Sequence, residues 1–160
     1  MEEFRKSLVT FIHTSPLQNT EAGLSVTTFT NQLCLFMPLT KEFAHKFAGE
    51  WLSAWNGKNI EQILHHYEDD VVFSSPFILK AQLNSSGTIN GKTALRNYFE
   101  QALEKNPDLR FDLKHVLVGT KSITLIYLRK GIMLSAETMI LNEKGKVVEG
   151  LSHYAADQLN

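Results

Sequence analysis

Apolar residues recur at three- and four-residue spacing from Thr40 onward: Phe43, Phe47, Trp51, Leu52 and Trp55 share one side of a helix. Thr40 stands where an N-cap belongs, Glu42 lies near the positive helix end, and Asn56-Gly57 stops the pattern. Asn59 is placed to cap a second, shorter helix over Ile60–His66, with Ile60, Ile63, Leu64 and Tyr67 on one face. Val71, Val72 and Phe73 then read as a strand, entered through Asp69-Asp70 and ended by Pro76, which has no N–H for a ladder. Leu83 to Gly91, rich in Asn, Ser and Gly, reads as a loop. Residues 92–105 are helical again, with Leu95, Tyr98, Phe99, Ala102 and Leu103 as the stripe and Asn106-Pro107 as the stop.

Beyond that stop the period falls to that of a strand. Leu109, Phe111, Leu113, His115 and Leu117 alternate with Arg110, Asp112 and Lys114. Ile123–Leu128, Ile132–Leu141 and Lys146–Ala156 follow as further strands, the last two joined by the turn Asn142-Glu143-Lys144-Gly145. The order is helix, helix, strand, helix, then a run of consecutive antiparallel strands. Helices gathered on one face of a mostly antiparallel sheet define the α+β class.

Residues 1–36 break the pattern. They are rich in Thr, Ser, Asn and Phe, and only Ser7–Ile12 and Leu24–Phe29 look strand-like. Met37 directly precedes the well-patterned segment. Two readings stay open: a dispensable stretch upstream of a start at Met37, or an arm that packs on the domain or on a partner. The expected division is an arm over 1–36 and one domain over 37–160.

Composition narrows the function classes. The 160 residues, 43% hydrophobic and 21% charged, suit one domain that needs neither disulfide nor metal to hold its core. A net charge of -1 offers no footprint for nucleic acid or for an anionic membrane. No apolar run approaches the roughly 20 residues of a membrane-spanning helix. The single cysteine, Cys34, forms no internal disulfide, and the acidic opening Glu2-Glu3 with the break at Thr10 and His13 is unlike a secretory signal; a cytoplasmic location is expected. No Cys/His set has zinc spacing and no glycine-rich loop could cradle phosphate, so neither metal nor cofactor is expected.

Several strings carry a resemblance. Trp51-Leu-Ser-Ala-Trp-Asn-Gly-Lys-Asn59 looks like the end of the first helix of the nuclear transport factor two superfamily. His66-Tyr-Glu-Asp-Asp-Val-Val-Phe-Ser-Ser-Pro76 looks like its helix-to-strand junction, Asn90-Gly-Lys-Thr-Ala-Leu-Arg-Asn-Tyr-Phe99 like the start of its third helix, and Asn142-Glu-Lys-Gly-Lys-Val-Val148 like its final hairpin. In order and spacing these cover about residues 40–157, and the chain most resembles the SnoaL-like and ketosteroid isomerase-like branches. The resemblance implies a cone-shaped fold, with a curved, mostly antiparallel sheet and three N-terminal helices around a conical pocket. Fold does not fix function here, because such domains serve as isomerases, cyclases, dehydratases and binding modules.

Set against the ketosteroid isomerase template, the resemblance puts Ser75 where that family has its aspartate base, just before the strand-ending proline. A serine hydroxyl is no base at neutral pH without an activating group. Trp51 stands where the template has its tyrosine donor, and its indole N–H can still donate one hydrogen bond. Glu137 matches the template's acid, held protonated in an apolar site. Glu137 also stands out by its own pattern: its alternation neighbours are Met133, Ser135, Met139 and Leu141, and burial there would keep it neutral. The competing reading is a pocket-mouth carboxylate that is paired or solvated.

Catalytic candidates are therefore Glu137 and His115, the latter on the apolar face of its strand between Leu113 and Leu117, where a satisfied core histidine is the alternative. Substrate-binding candidates are Trp51, Trp55, Tyr67, Phe73, Ser75, Tyr98, Ser152 and Tyr154, which read equally as core. His153 falls on the opposite parity from Ser152 and Tyr154 and is expected to point away. His65-His66 diverge by about 100° on a helix, and Asp69-Asp70 lack further ligands nearby, so neither pair suggests a metal. On the other sheet face Ile132, Leu134, Ala136, Thr138, Ile140, Val147, Leu151 and Ala155 suggest a second apolar layer, covered by another copy in a homodimer. The expected function is binding of a small hydrophobic molecule, with proton-transfer chemistry of the isomerase, cyclase or dehydratase type. The alternatives are a non-catalytic carrier or sensor, and a protein-interaction adaptor.

Overall fold

The structure, a computed structural model, describes residues 39–159, so the arm expected over 1–36 lies outside the described residues. The first helix, α1 (Lys41–Asn56), begins as its sequence suggests: the Thr40 hydroxyl accepts the Phe43 N–H at 3.1 Å. Its inward stripe is Ala44, Phe47, Ala48, Trp51, Ala54 and Trp55. The small alanines between large rings let the helix sit close to the sheet. The second helix, α2 (Ile60–His65), starts where Asn59 Oδ1 accepts the Gln62 N–H at 3.1 Å.

Strand β1 (Tyr67–Ser74) is longer than expected and takes in Asp69-Asp70, with Asp69 held by Lys92 at 2.6 Å. Pro76 does not open a loop. Ser75 is an N-cap, its hydroxyl accepting the Phe77 N–H at 3.2 Å, and Pro76 starts a short helix, α3 (Pro76–Lys80). Proline fits there because a first-turn N–H has no intrahelical partner to lose. A short strand, β2 (Thr88–Asn90), then pairs antiparallel with β1, also within the expected loop. Helix α4 (Lys92–Lys105) follows as expected. The helix count thus differs from the expected three: the described residues hold four α-helices and a final 3-10 turn, and α3 and α4 follow the first strand.

Strands β3 (Phe111–Val118), β4 (Ser122–Arg129), β5 (Met133–Leu141) and β6 (Val147–Tyr154) complete a curved six-stranded sheet of order β2-β1-β6-β5-β4-β3. Every neighbouring pair is antiparallel except β1 with β6, which is parallel. Helix α1 packs on β3 and α4 on β1, so the core lies between the helices and the concave face. Asn56 fixes the end of α1 to the start of β3 by bonding the Phe111 backbone in both directions, donating to its carbonyl at 3.0 Å and accepting its N–H at 2.8 Å. The turn before β6 needs Gly145: its φ is +73°, and a Cβ there would lie 2.8 Å from the Phe43 ring.

Two register shifts overturn expectations about side-chain direction. In β3, Leu113 pairs with Tyr127 but His115 pairs with Ile126, so Lys114 is an extra residue and the alternation changes phase there. His115 therefore turns outward and is exposed, and Val116 takes the inward place. In β6, a shift opposite Ile140 and Leu141 pairs Val147 with Leu141, and Val147 is fully buried in the core rather than on the outer face. No helix of the described residues is long and apolar enough to cross a membrane.

Candidate functional site

Alternation along β5 sends Ser135, Glu137, Met139 and Leu141 to the concave face, and all four are buried. Across the ladders Glu137 faces Ser152 on β6 and Leu125 on β4. The Ser152 hydroxyl donates to Glu137 Oε2 at 2.8 Å, while Oε1 is buried and has no hydrogen-bond partner among the described residues. Burial pushes the Glu137 carboxyl from 4.5 up to about 8, against the smaller lowering effect of the Ser152 bond. Gly150 makes room beside it, since a Cβ there would come within 2.8 Å of the Phe73 ring and 3.8 Å of Glu137 Oε1.

Hydroxyl-bearing rings surround the carboxyl. Tyr67, Tyr127 and Tyr154 are raised above their ordinary range first by burial and next by the Glu137 charge, so each keeps its proton. The Tyr67 hydroxyl accepts the Trp51 indole N–H at 3.2 Å. The indole donor that the sequence comparison assigned to a ligand is therefore bonded to a neighbouring ring. Trp55 is different: its indole N–H is buried and has no partner among the described residues.

These groups open onto a cavity of about 420 Å³. Of the expected residues, Glu137, Trp51, Trp55, Tyr67, Phe73, Tyr98, Ser152 and Tyr154 all line it. Ser75 does not. It is buried behind the wall, where it caps α3 and accepts the Tyr98 hydroxyl at 3.5 Å. His115 lies on the opposite sheet face, as does exposed His153. The bulge at Lys114 removes His115 from the catalytic candidates. Among the described residues no group of His, Cys, Asp or Glu is arranged to hold a metal ion.

Sequence reasoning missed the other side of the cavity. Phe77 and Lys80 come from α3, Tyr127 and Arg129 from β4, and Lys105 from the end of α4. The Arg129 guanidinium lies 5.1 Å from the Phe77 ring centre, and Phe77 in turn packs on Tyr154 at 4.3 Å. A signal for β4 was available: Ile123, Leu125, Tyr127 and Arg129 share one parity, and the first three are buried.

With this geometry in view, a family model described as the SnoaL-like domain matches residues 48–156. The chain is 35% identical to a SnoaL-like protein of unknown function from Burkholderia thailandensis, with a TM-score of 0.72, covering 75% of this chain and 100% of that one. It is similar in fold to IdmH of Streptomyces antibioticus, a proposed polyketide cyclase, at 11% identity and a TM-score of 0.61, covering 72% of this chain and 94% of that one. It is also similar in fold to TerC co-crystallised with polyporic acid, at 13% identity and a TM-score of 0.59, covering 71% of this chain and 92% of that one. No curated protein matches the chain.

Proposed function

The chain belongs to the SnoaL-like domain family, and on that premise we propose that it binds a small hydrophobic molecule in its cavity and exchanges a proton with it at Glu137. One observation carries the reading: a fully buried carboxyl, one oxygen of which has no hydrogen-bond partner among the described residues, stands in the wall of an aromatic cavity of about 420 Å³, within the size range of small-molecule sites. A carboxyl raised to about 8 is ionised in part near neutrality, so it can take the proton from the carbon beside a ligand carbonyl and return it to the resulting enolate, which suits isomerisation, cyclisation or dehydration. The neighbouring tyrosines, which stay protonated, supply donors for the oxygen on which charge develops.

Thermal unfolding in the presence of fused-ring ketones tests the reading. A binder at a hundredfold excess over its Kd should add about 2.7 kcal/mol of stability. Solvent deuterium should enter beside the ligand carbonyl, and Glu137→Gln should slow that exchange by about a hundredfold while retaining binding. Stabilisation without exchange would favour the carrier reading, which one feature supports: the Ser75 hydroxyl, at the template's base position, is occupied in capping α3. The absence of stabilisation by any ring system would overturn both.

The outer sheet face supports self-association as part of the same proposal. Ile126, Leu128, Leu134, Ala136, Ile140 and Leu151 form an apolar field across three strands, bordered by Glu149 and His153, and Leu134 is 48% exposed. An exposed apolar patch rimmed by polar residues suits a two-fold pairing with a second copy. Light scattering at micromolar concentration should return twice the chain mass, and a monomer would remove this part of the proposal.

A further inference from the structure

The charges around the cavity are not balanced as the chain is. Overall there are 16 Lys and Arg against 17 Asp and Glu. Among the described residues of the cavity wall the cations are Lys80, Lys105 and Arg129, and the one carboxylate is Glu137, which is neutral below about 8. Several cations elsewhere on the domain are paired with carboxylates: Lys130 with Asp108 at 2.7 Å, Arg110 with Asp112 at 3.4 Å, Lys92 with Asp69 at 2.6 Å. Arg129 and Lys105 form no ion pair among the described residues.

Arg129 is also built in. Its guanidinium is held over Phe77, which steadies the plane while leaving N–H groups at the edge for a planar anion. The position relative to Glu137 is set by the sheet. Arg129 pairs with Met133, and Glu137 lies four residues further along the same strand and on the same face. At about 3.4 Å per residue the two backbone rows are roughly 13–14 Å apart along the strand, so the cation and the acid stand at different levels of the cavity. Glu137 is 3% exposed, whereas Lys80 and Lys105 are exposed, so the acid marks the closed end and the cations the mouth.

We infer that the ligand is an amphiphilic carboxylate: a polycyclic or extended aromatic body whose anionic end is held at the mouth by Arg129, with Lys105 and Lys80 beside it, and whose neutral carbonyl end reaches Glu137. The inference rests on the reading that the cavity binds a small hydrophobic molecule, and it adds the charge and polarity of that molecule. An arginine fork fits a carboxylate through paired N–H bonds, which are stronger than neutral ones.

The test is calorimetric titration of the full chain with anthraquinone-2-carboxylate and with its methyl ester. The acid should bind about tenfold more tightly than the ester, as a charge-assisted pair requires, and its advantage should shrink as salt is raised. Arg129→Gln should remove that advantage while leaving the ester within about twofold of its original affinity. Lys105→Gln, at an exposed position, should lower the acid's affinity and leave the ester's alone, which keeps the test decisive if the Arg129 variant folds poorly. Ester binding equal to or tighter than acid binding would overturn the inference and leave cavity binding in place. Failure of the acid, the ester and the parent anthraquinone alike would overturn the underlying reading and the inference with it.

Discussion

Glutamine in place of Glu137 should flatten the loss of stability that the natural chain shows as pH rises from mildly acid to alkaline. The folded carboxyl keeps its proton up to about 8, whereas the unfolded one releases it near 4.5. Between those values the folded state binds more protons, so stability falls with rising pH. The contribution is fully present below the unfolded value and lost as pH passes the folded one. A shift of this size corresponds to a change on the order of 5 kcal/mol. Glutamine does not titrate and can still accept from Ser152, so its curve should lack this decline. Urea unfolding of both proteins at about pH 5 and about pH 9 makes the comparison. His66 acts in the opposite direction: burial holds it down to about 4, so its contribution is present above 6.5 and lost as pH falls through that window. Because both proteins contain His66, the difference between them isolates Glu137. Parallel curves would mean that the carboxyl titrates as an exposed one does.

Trp51→Ala should be the most damaging single truncation in the cavity wall. The side chain is 1% exposed, stacks on Phe111 at 5.6 Å with 13° between planes, and touches Trp55 and Tyr127, each at 5.8 Å. Loss of that packing costs about 3–5 kcal/mol. The Tyr67 hydroxyl also loses the N–H it accepts, and an unpaired buried group adds about 1–3 kcal/mol unless water enters the new space. Trp51→Phe keeps a ring and loses the N–H, so it should fall between the natural chain and the alanine variant. Denaturant midpoints with unchanged slopes would measure both. An alanine variant that loses less than about 1 kcal/mol would show that the ring is a removable pocket wall rather than core.

The helices and most strands were legible because burial imposes a period. The stripes of α1 and α4, the caps at Thr40 and Asn59, and the turn at Asn142 to Gly145 follow from local chemistry alone. Glu137 was legible for the same reason, as an acid at an apolar phase of its strand. What failed was whatever depended on a change of phase. Nothing in Leu113, His115 and Leu117 announces that Lys114 will be squeezed out of the ladder, because a bulge is decided by the partner strand. Val147 was misplaced likewise. Helix α3 was missed by reading Pro76 as a stop, although Ser75-Pro76 is also a helix start, and with it went Phe77 and Lys80. Arg129 was overlooked because a cation at a strand end reads as solvent-facing until the opposite wall is known.

The extra residue at Lys114 divides β3 into two halves with different neighbours. Ahead of it, Phe111 belongs to the cavity wall and Leu113 packs on the core; past it, Leu117 is 51% exposed on the outer face. One ribbon is thus shared between two compartments, anchored at its first residue by the clasp of Asn56 and, among the described residues, open on its outer side over its second half. Anything that settles on the outer face leans on the same strand that a guest in the cavity touches from within, a few residues upstream.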